Sequence, residues 1–428
     1  MSHGPRGPHA LWAHLPTNEP RVRLGTRAPA PRGRALKQRH GLAVNDTMTS
    51  ARHQLLKDSE GKVLLKSMTL QQLRDFFVNE LGEKPFRAQQ IWTWLYVKLA
   101  SDFDEMTDVS KALRARLRDI ARIDVLQHVD THTASDGTAK LTWRTDTGAI
   151  IESVMIPTEK RNTLCISSQV GCAMNCQFCF TARMGLHNNL STAEIVDQVV
   201  QTRRLYGESL RLTNIVFMGM GEPLHNPDNV IPATSILIER SGLDFSNRRV
   251  TVSTSGLVPE ILRFGQESTA RLAVSLNATT DEVRDWIMPI NRKYPLGVLL
   301  DALRSYPFRK GERVTFEYVL LKDVNDSLED ARRIVRLTSS IPCKINLIPF
   351  NPHDGTEFER SPDERLIAIR DFLVSRNVNV TVRETRGDDR MAACGQLGKP
   401  GERSPRRMAP PVHFQHAVRT TPHARHDG

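Results

Sequence analysis

The period of the apolar positions changes along the chain. From Thr69 it is helical: Leu70, Leu73, Phe77 and Leu81 share one face, Thr69 and Gln72 stand in capping-box relation, and Gly82 marks a stop. Pro85 opens a second helix carrying Phe86, Ile91, Trp94 and Leu95, and Leu113, Leu117 and Ile120 predict a third, ending near Ile123. Between 138 and 157 the period drops to two, with alternation from Lys140 to Arg144, a turn at Asp146-Thr147-Gly148 and a return from Ala149 to Ile156. That pattern predicts a β-hairpin. Short β-branched runs then alternate with helical stretches, placing strands at 163–167, 214–218, 249–254, 272–276, 314–320 and 344–348. One intervening helix, Thr192–Tyr206, is introduced by Ser191 with Glu194 three residues on.

Six strands joined by helical crossovers predict an α/β fold with a parallel sheet, either open and doubly wound or curled into a partial barrel. Both architectures place chemistry at the C-terminal ends of the strands. The expected organisation is a Pro- and Arg-rich extension at 1–50, a small helical domain at 51–125, a hairpin linker at 126–162, the α/β region at 163–398 and a Pro-rich tail at 399–428. The first and last segments are read as disordered and basic. The first also fits a transit segment, or a start codon placed too early, with Met48 or Met68 as the true beginning.

Composition changes this picture only in part. With 39% hydrophobic and 25% charged residues among 428, the chain reads as an ordinary soluble protein of the cytoplasm. No apolar run is long enough to span a bilayer, so no membrane partner is expected. The formal charge of +11 invites a nucleic-acid reading, but residues 1–50 hold eight Lys or Arg against Glu19 and Asp46, and 399–428 hold six against Glu402 and Asp427. Only +1 remains for the rest. Net charge therefore says little about the folded region. Lys111, Arg114, Arg116, Arg118 and Arg122 form a basic face that is either a solvated surface or an RNA contact.

The six cysteines decide more. Cys172, Cys176 and Cys179 give C-x3-C-x2-C directly after the first strand of the α/β region, a density that points to metal binding in a reducing compartment. Three thiolates leave one corner of a four-iron cluster open, as chelation by S-adenosylmethionine requires. The alternative is zinc completed by His187, Cys165 or Cys394, though the second C-x2-C pair usual for zinc is missing. The spacing resembles the radical S-adenosylmethionine superfamily, whose fold is a partial (βα)6 barrel. After the second strand, Met218-Gly219-Met220-Gly221-Glu222-Pro223 is similar to the GxGEP motif that holds the methionyl amine in that superfamily.

From Leu70 to Gln396 the chain closely resembles the RlmN-type adenosine C2 methyltransferases, through stretches such as GEKPFR, SSQVGCAMNCQFC, MGMGEPL, SLNATTDEVRDWIMPIN, CKINLIPFNP and VRETRGDDRMAACGQL. The resemblance implies a [4Fe-4S] cluster on Cys172, Cys176 and Cys179, and S-adenosylmethionine, two per turnover, held by Gly221, Glu222, Ser253, Ser275, Leu276, Asn277 and Asn351. It implies 23S ribosomal RNA and transfer RNA as substrates and a reducing electron-donor protein as partner. Adenine C2 is too electron-poor to attack a sulfonium methyl. The family route therefore methylates Cys394 first, and a 5′-deoxyadenosyl radical then activates that methyl for addition to C2. Glu152 takes the position of the proton acceptor, and Cys165 that of the thiol that resolves the adduct through a disulfide with Cys394; Cys343 matches no role. Two departures stand out: Phe180 follows Cys179 where the family has a small residue, and the chain turns Pro-rich after Leu397. Competing readings are adenosine C8 methylation of 23S ribosomal RNA and a non-catalytic zinc-stabilised RNA-binding factor.

Overall fold

A computed structural model describes residues 55–353, 355–383, 386–387, 395–398 and 407–417. Both halves of the predicted capping box form: the Gln72 N–H donates to Thr69 Oγ1, and the Thr69 N–H donates to Gln72 Oε1 at 2.8 Å. Helix α1 (Leu70–Asp75) then widens into a π-helical turn, Phe76–Glu80, closed by the Leu81 N–H on the Phe76 carbonyl. The wider turn lets the adjacent Phe76 and Phe77 both enter the core. Helix α2 (Pro85–Tyr96) buries Ile91, Trp92, Trp94, Leu95 and Tyr96. Phe86, which also follows the apolar pattern, is half exposed beneath the Arg87 guanidinium, 4.7 Å from its ring centre.

Helix α3 (Lys111–Ile120) completes the domain, and strand β1 (Val63–Leu64) pairs in parallel with β2 (Ala121–Arg122). Val63, Leu64, Leu65 and Lys66 are all buried, so a chain starting at Met68 would lack part of this core. Four of the five basic residues of α3 and its end are tied down within the fold. Arg114 donates to the Asp104 carbonyl, Arg116 to the Leu81 carbonyl, Arg118 pairs with Asp104, and Arg122 pairs with Asp146. The face stays largely solvated, with these four side chains partnered on its surface.

The predicted hairpin is β4 (Ala139–Arg144) and β5 (Ile150–Thr158), preceded by β3 (Gln127–Thr133). β3 was not legible because its residues are mostly exposed and polar, leaving no period to read. β5 also pairs with β6 (Arg161–Cys165), so the meander is an extension of the main sheet. A small pair, β7 (Gln169–Gly171) and β8 (Leu186–Asn189), frames the cysteine loop. The parallel strands follow: β9 (Asn214–Phe217), β10 (Val250–Thr254), β11 (Arg271–Ser275), β12 (Val314–Leu320) and β13 (Cys343–Pro349). A seventh, β14 (Val380–Val382), was too short to announce itself. One ten-stranded sheet runs β14-β13-β12-β11-β10-β9-β6-β5-β4-β3.

The crossovers are α4 (Thr192–Tyr206), α5 (Pro227–Ile238), α6 (Val258–Glu267), α7 (Asp281–Ile287) with α8 (Leu296–Arg304), α9 (Leu328–Thr338) and α10 (Asp363–Ser375). The predicted Ser191–Glu194 capping box starts α4. Sheet curvature follows from one contact. β14 and β9 lie five strands apart, about 24 Å in a flat sheet, yet Arg383 beyond β14 reaches Met218 Sδ beyond β9 at 3.8 Å. The parallel half is therefore a partial barrel.

Residues 407–417, expected within the disordered tail, are instead part of the fold. The Met408 N–H donates to Gln177 Oε1 at 3.0 Å, and Phe414 lies 5.8 Å from Trp286. Here the apolar Met408 and Phe414 find a satellite core that also includes Cys176 and Phe178, a match that the Pro-rich composition concealed.

Candidate active site

Strand register brings distant residues to one face, because paired residues point the same way and side chains alternate along each strand. Cys165 pairs with Val154 on one side and Val216 on the other. Val216 pairs with Thr251, two residues before Ser253, and Ser253 pairs with Ala273, two before Ser275. Glu152 lies two residues from Val154. Glu152, Cys165, Ser253 and Ser275 consequently share the face that lines the curled sheet. Leu276 and Asn277 follow β11, Gly221 and Glu222 follow β9, and Asn351 follows β13. These loop residues, with Ser253 and Ser275, stand at C-terminal ends of parallel strands, where the topology expects chemistry.

Glu222 is enclosed, 4% exposed. Its Oε2 accepts the Ser255 N–H at 2.7 Å and its Oε1 the Leu224 N–H at 3.1 Å, while its own N–H donates to Gln169 Oε1 at 2.8 Å. Burial pushes the carboxyl above its usual range even though these donors pull the other way. Among the described residues no cation pairs with it. Gly221 must be glycine: its φ is +106°, and a Cβ there would lie 2.6 Å from that of Gln169.

Asn277 takes the left-handed conformation at φ +51°, which asparagine tolerates better than most residues. Its Oδ1 accepts the Val319 N–H at 2.8 Å, and its carbonyl accepts Asn325 Nδ2 at 2.6 Å, so the turn after β11 is locked to β12. Arg284, on α7, is fully buried and was missed by sequence reasoning, since an arginine on a short polar helix reads as solvated. Its guanidinium donates to the carbonyls of Ser255, Ser275 and Leu276 at 2.7, 3.0 and 3.0 Å, stapling the ends of β10 and β11. Desolvation lowers its pKa to about 10.

Cys172, Cys176 and Cys179 occupy the loop between β7 and β8. Burial and mutual repulsion push the thiols of Cys172 and Cys176 well up, the direction that binding to a metal reverses. Among the described residues no three His, Cys, Asp or Glu side chains converge on a single-ion site. A cluster does not need them to, because each thiolate takes its own iron.

Cys394 lies outside the described residues, but the turn that follows it is held from three sides: the Phe180–Thr181 segment, Pro352 and Glu152. The Phe180 N–H donates to the Gly395 carbonyl at 2.7 Å, Thr181 Oγ1 to the Leu397 carbonyl at 2.7 Å, and Gln396 Nε2 to the Pro352 carbonyl at 2.9 Å. The third side is Glu152, whose Oε2 accepts the Gly398 N–H at 2.8 Å. Phe180 is buried edge-on against His353, 5.3 Å between ring centres. The larger side chain thus packs against the segment that follows β13.

Residues 63–123 match the family model of the ribosomal RNA large subunit methyltransferase N-terminal domain, and residues 166–336 match that of the radical SAM superfamily. The dual-specificity RNA methyltransferase RlmN of Geobacter sulfurreducens is 53% identical over 333 residues, 78% of this chain and 91% of that protein. The corresponding protein of an Anaeromyxobacter species is 51% identical over 356 residues, 81% and 94%. The chain belongs to the RlmN family of radical SAM RNA methyltransferases. A crystal structure of a radical SAM methyltransferase from Sphaerobacter thermophilus shares 44% identity, covers 78% of this chain and 98% of its own, and superposes with a TM-score of 0.74.

Radical SAM membership implies a [4Fe-4S] cluster and S-adenosylmethionine, and the residues suit both. Three thiols on one loop match a cluster with an open iron. The enclosed Glu222, with backbone donors but no cation among the described residues, has the chemistry to accept an ammonium group.

Proposed function

We propose that this RlmN family member methylates C2 of adenosine in 23S ribosomal RNA and in transfer RNA through S-methylated Cys394. Cys172, Cys176 and Cys179 would hold a [4Fe-4S] cluster, which with two molecules of S-adenosylmethionine would supply a methyl group and a hydrogen-abstracting radical. Glu222 and the backbone at Gly221 hold the amino acid end of the cofactor, and Ser253, Ser275, Leu276, Asn277 and Asn351 line the rest of its site. Cys394 carries the methyl and presents it to C2. Glu152 takes the C2 proton as the adduct returns one electron to the centre that generated the radical, and Cys165 bonds to the sulfur of Cys394 as the sulfur–carbon bond breaks, the electron pair staying with the product carbon, which takes a proton to become the methyl group. The disulfide is then reduced by an external donor.

The observation that carries this reading is the hydrogen bond from the Gly398 amide to Glu152, on the sheet face that also bears Cys165. It ties the expected base, which shares a sheet face with the expected resolving thiol, to a residue four beyond Cys394. The test is Cys165→Ala, which should load its methyl and attack RNA but stall as a covalent adduct that resists thiol reductants. Parent-rate release of methylated RNA with no adduct overturns the two-cysteine route. Nucleoside mass spectrometry of both RNAs distinguishes 2-methyladenosine from the 8-methyl isomer, and the latter would overturn the C2 assignment.

A further inference from the structure

Glu152 holds more than the Gly398 turn. Its other oxygen, Oε1, lies 3.3 Å from Lys140 Nζ, and the two side chains are 7% and 14% exposed. Lys140 is on β4 and pairs in register with Val154, which pairs in turn with Cys165, so the ammonium, the carboxylate and the thiol occupy one face of three adjacent strands. An ion pair this enclosed is not a screened surface contact of negligible worth. Its geometry divides the carboxylate between two tasks, one oxygen on a fixed cation and the other on the turn beyond Cys394.

A proton acceptor works only from a defined position, and a displacement of about 1 Å costs on the order of 100-fold in rate. Glu152 has two freely rotating torsions before its carboxyl group, and the Gly398 amide belongs to a loop rather than to the sheet. Lys140, rooted on a neighbouring strand, is the sheet-borne partner that fixes the carboxylate. We infer that Lys140 is a positioning residue for the proton-transfer step, orienting Glu152 toward C2 and toward the turn that follows Cys394. The inference rests on the reading of Glu152 as proton acceptor. The proton leaves C2 for a Glu152 oxygen, the C–H electron pair remains on the adenine ring, and Lys140 stays an ammonium ion throughout.

The test uses the full chain with its cluster, prepared anaerobically, and a transfer RNA substrate. Lys140→Met should bind iron and load methyl on Cys394 like the parent, read by iron content and intact-protein mass. It should then release methylated RNA 10- to 100-fold more slowly in a single turnover, with covalent protein–RNA adduct accumulating meanwhile. Lys140→Arg, which keeps the cation, should recover most of the rate. If Lys140→Met fails to fold, Lys140→Gln replaces it, keeping a long polar side chain without the charge. Parent-rate release by the neutral variant overturns the inference, as does loss of Cys394 methylation that Lys140→Arg leaves unrestored, which marks a structural role. Glu152→Gln separates the two claims. If it releases product at the parent rate, the proton-acceptor reading fails; if it stalls as adduct while Lys140→Met does not, only the role of Lys140 fails.

Discussion

Asp197 and Glu222 are both enclosed carboxylates with backbone N–H partners, and their difference separates scaffold from site. Asp197, on α4, accepts the N–H groups of Val125 and Leu126 and pairs with Lys66, itself fully buried. Lys66 also pairs with Asp124 at 2.6 Å, as does Arg204. This network fastens the small helical domain to the first barrel helix with every charge matched. Glu222 accepts two backbone N–H groups as well, but no cation among the described residues answers it. A buried charge matched within the protein is structural, whereas a buried carboxyl without a cation is driven toward its neutral form; on the reading proposed here, the cofactor's ammonium group is what Glu222 awaits.

The largest effect should come from unbalancing the completed pair. Lys66→Met leaves Asp197 charged, buried and unpaired, and should lower unfolding stability by about 3–5 kcal/mol in urea titrations. A loss below about 1 kcal/mol would show that the two carboxylates do not differ as argued. Glu222→Gln should do the converse. It should keep or slightly raise stability while weakening S-adenosylmethionine about 10- to 100-fold by equilibrium binding, the worth of a charge-assisted hydrogen bond. Equal binding by parent and variant would remove Glu222 from the cofactor site.

The same contrast has a pH signature. The Glu222 carboxyl is raised above its usual range by burial, and only its ionised form attracts an ammonium group. Cofactor affinity should therefore be level at alkaline pH and fall as pH drops through that raised value, beginning above the range of ordinary carboxylates. In Glu222→Gln this limb should vanish; its persistence would assign it to another group. The smallest effect belongs to the helical domain. Thr69→Ala removes the side-chain half of a cap and should cost about 1 kcal/mol in stability, with cofactor affinity unchanged.

How much was legible in advance follows from how far each signal reaches along the chain. The capping boxes at Thr69 and Ser191, the six parallel strands and the cysteine loop are local, written within a few residues, and all form. The assignments of Glu152, Cys165 and Cys394 came through family resemblance, since a lone strand glutamate or cysteine carries no local mark of function. Arg284 and Lys140 escaped because their meaning lies in partners far away in sequence or across a strand, the carbonyls of Ser255 and Ser275 and the carboxylate of Glu152. The partners of the basic face of α3 were hidden for the same reason: the acids and carbonyls that contact it come from other segments.

By itself the sequence determined periodicity, caps, strand positions and the cysteine spacing that suits cluster chemistry, because these depend on neighbours within about one turn or one strand. Only the tertiary structure decided which buried charges are satisfied. It merged the hairpin into the barrel sheet, drew residues 407–417 against the cysteine loop, and bridged Lys140 and Gly398 through one carboxylate. Burial and partnership are properties of the packed chain, and the energy of a charge depends on both.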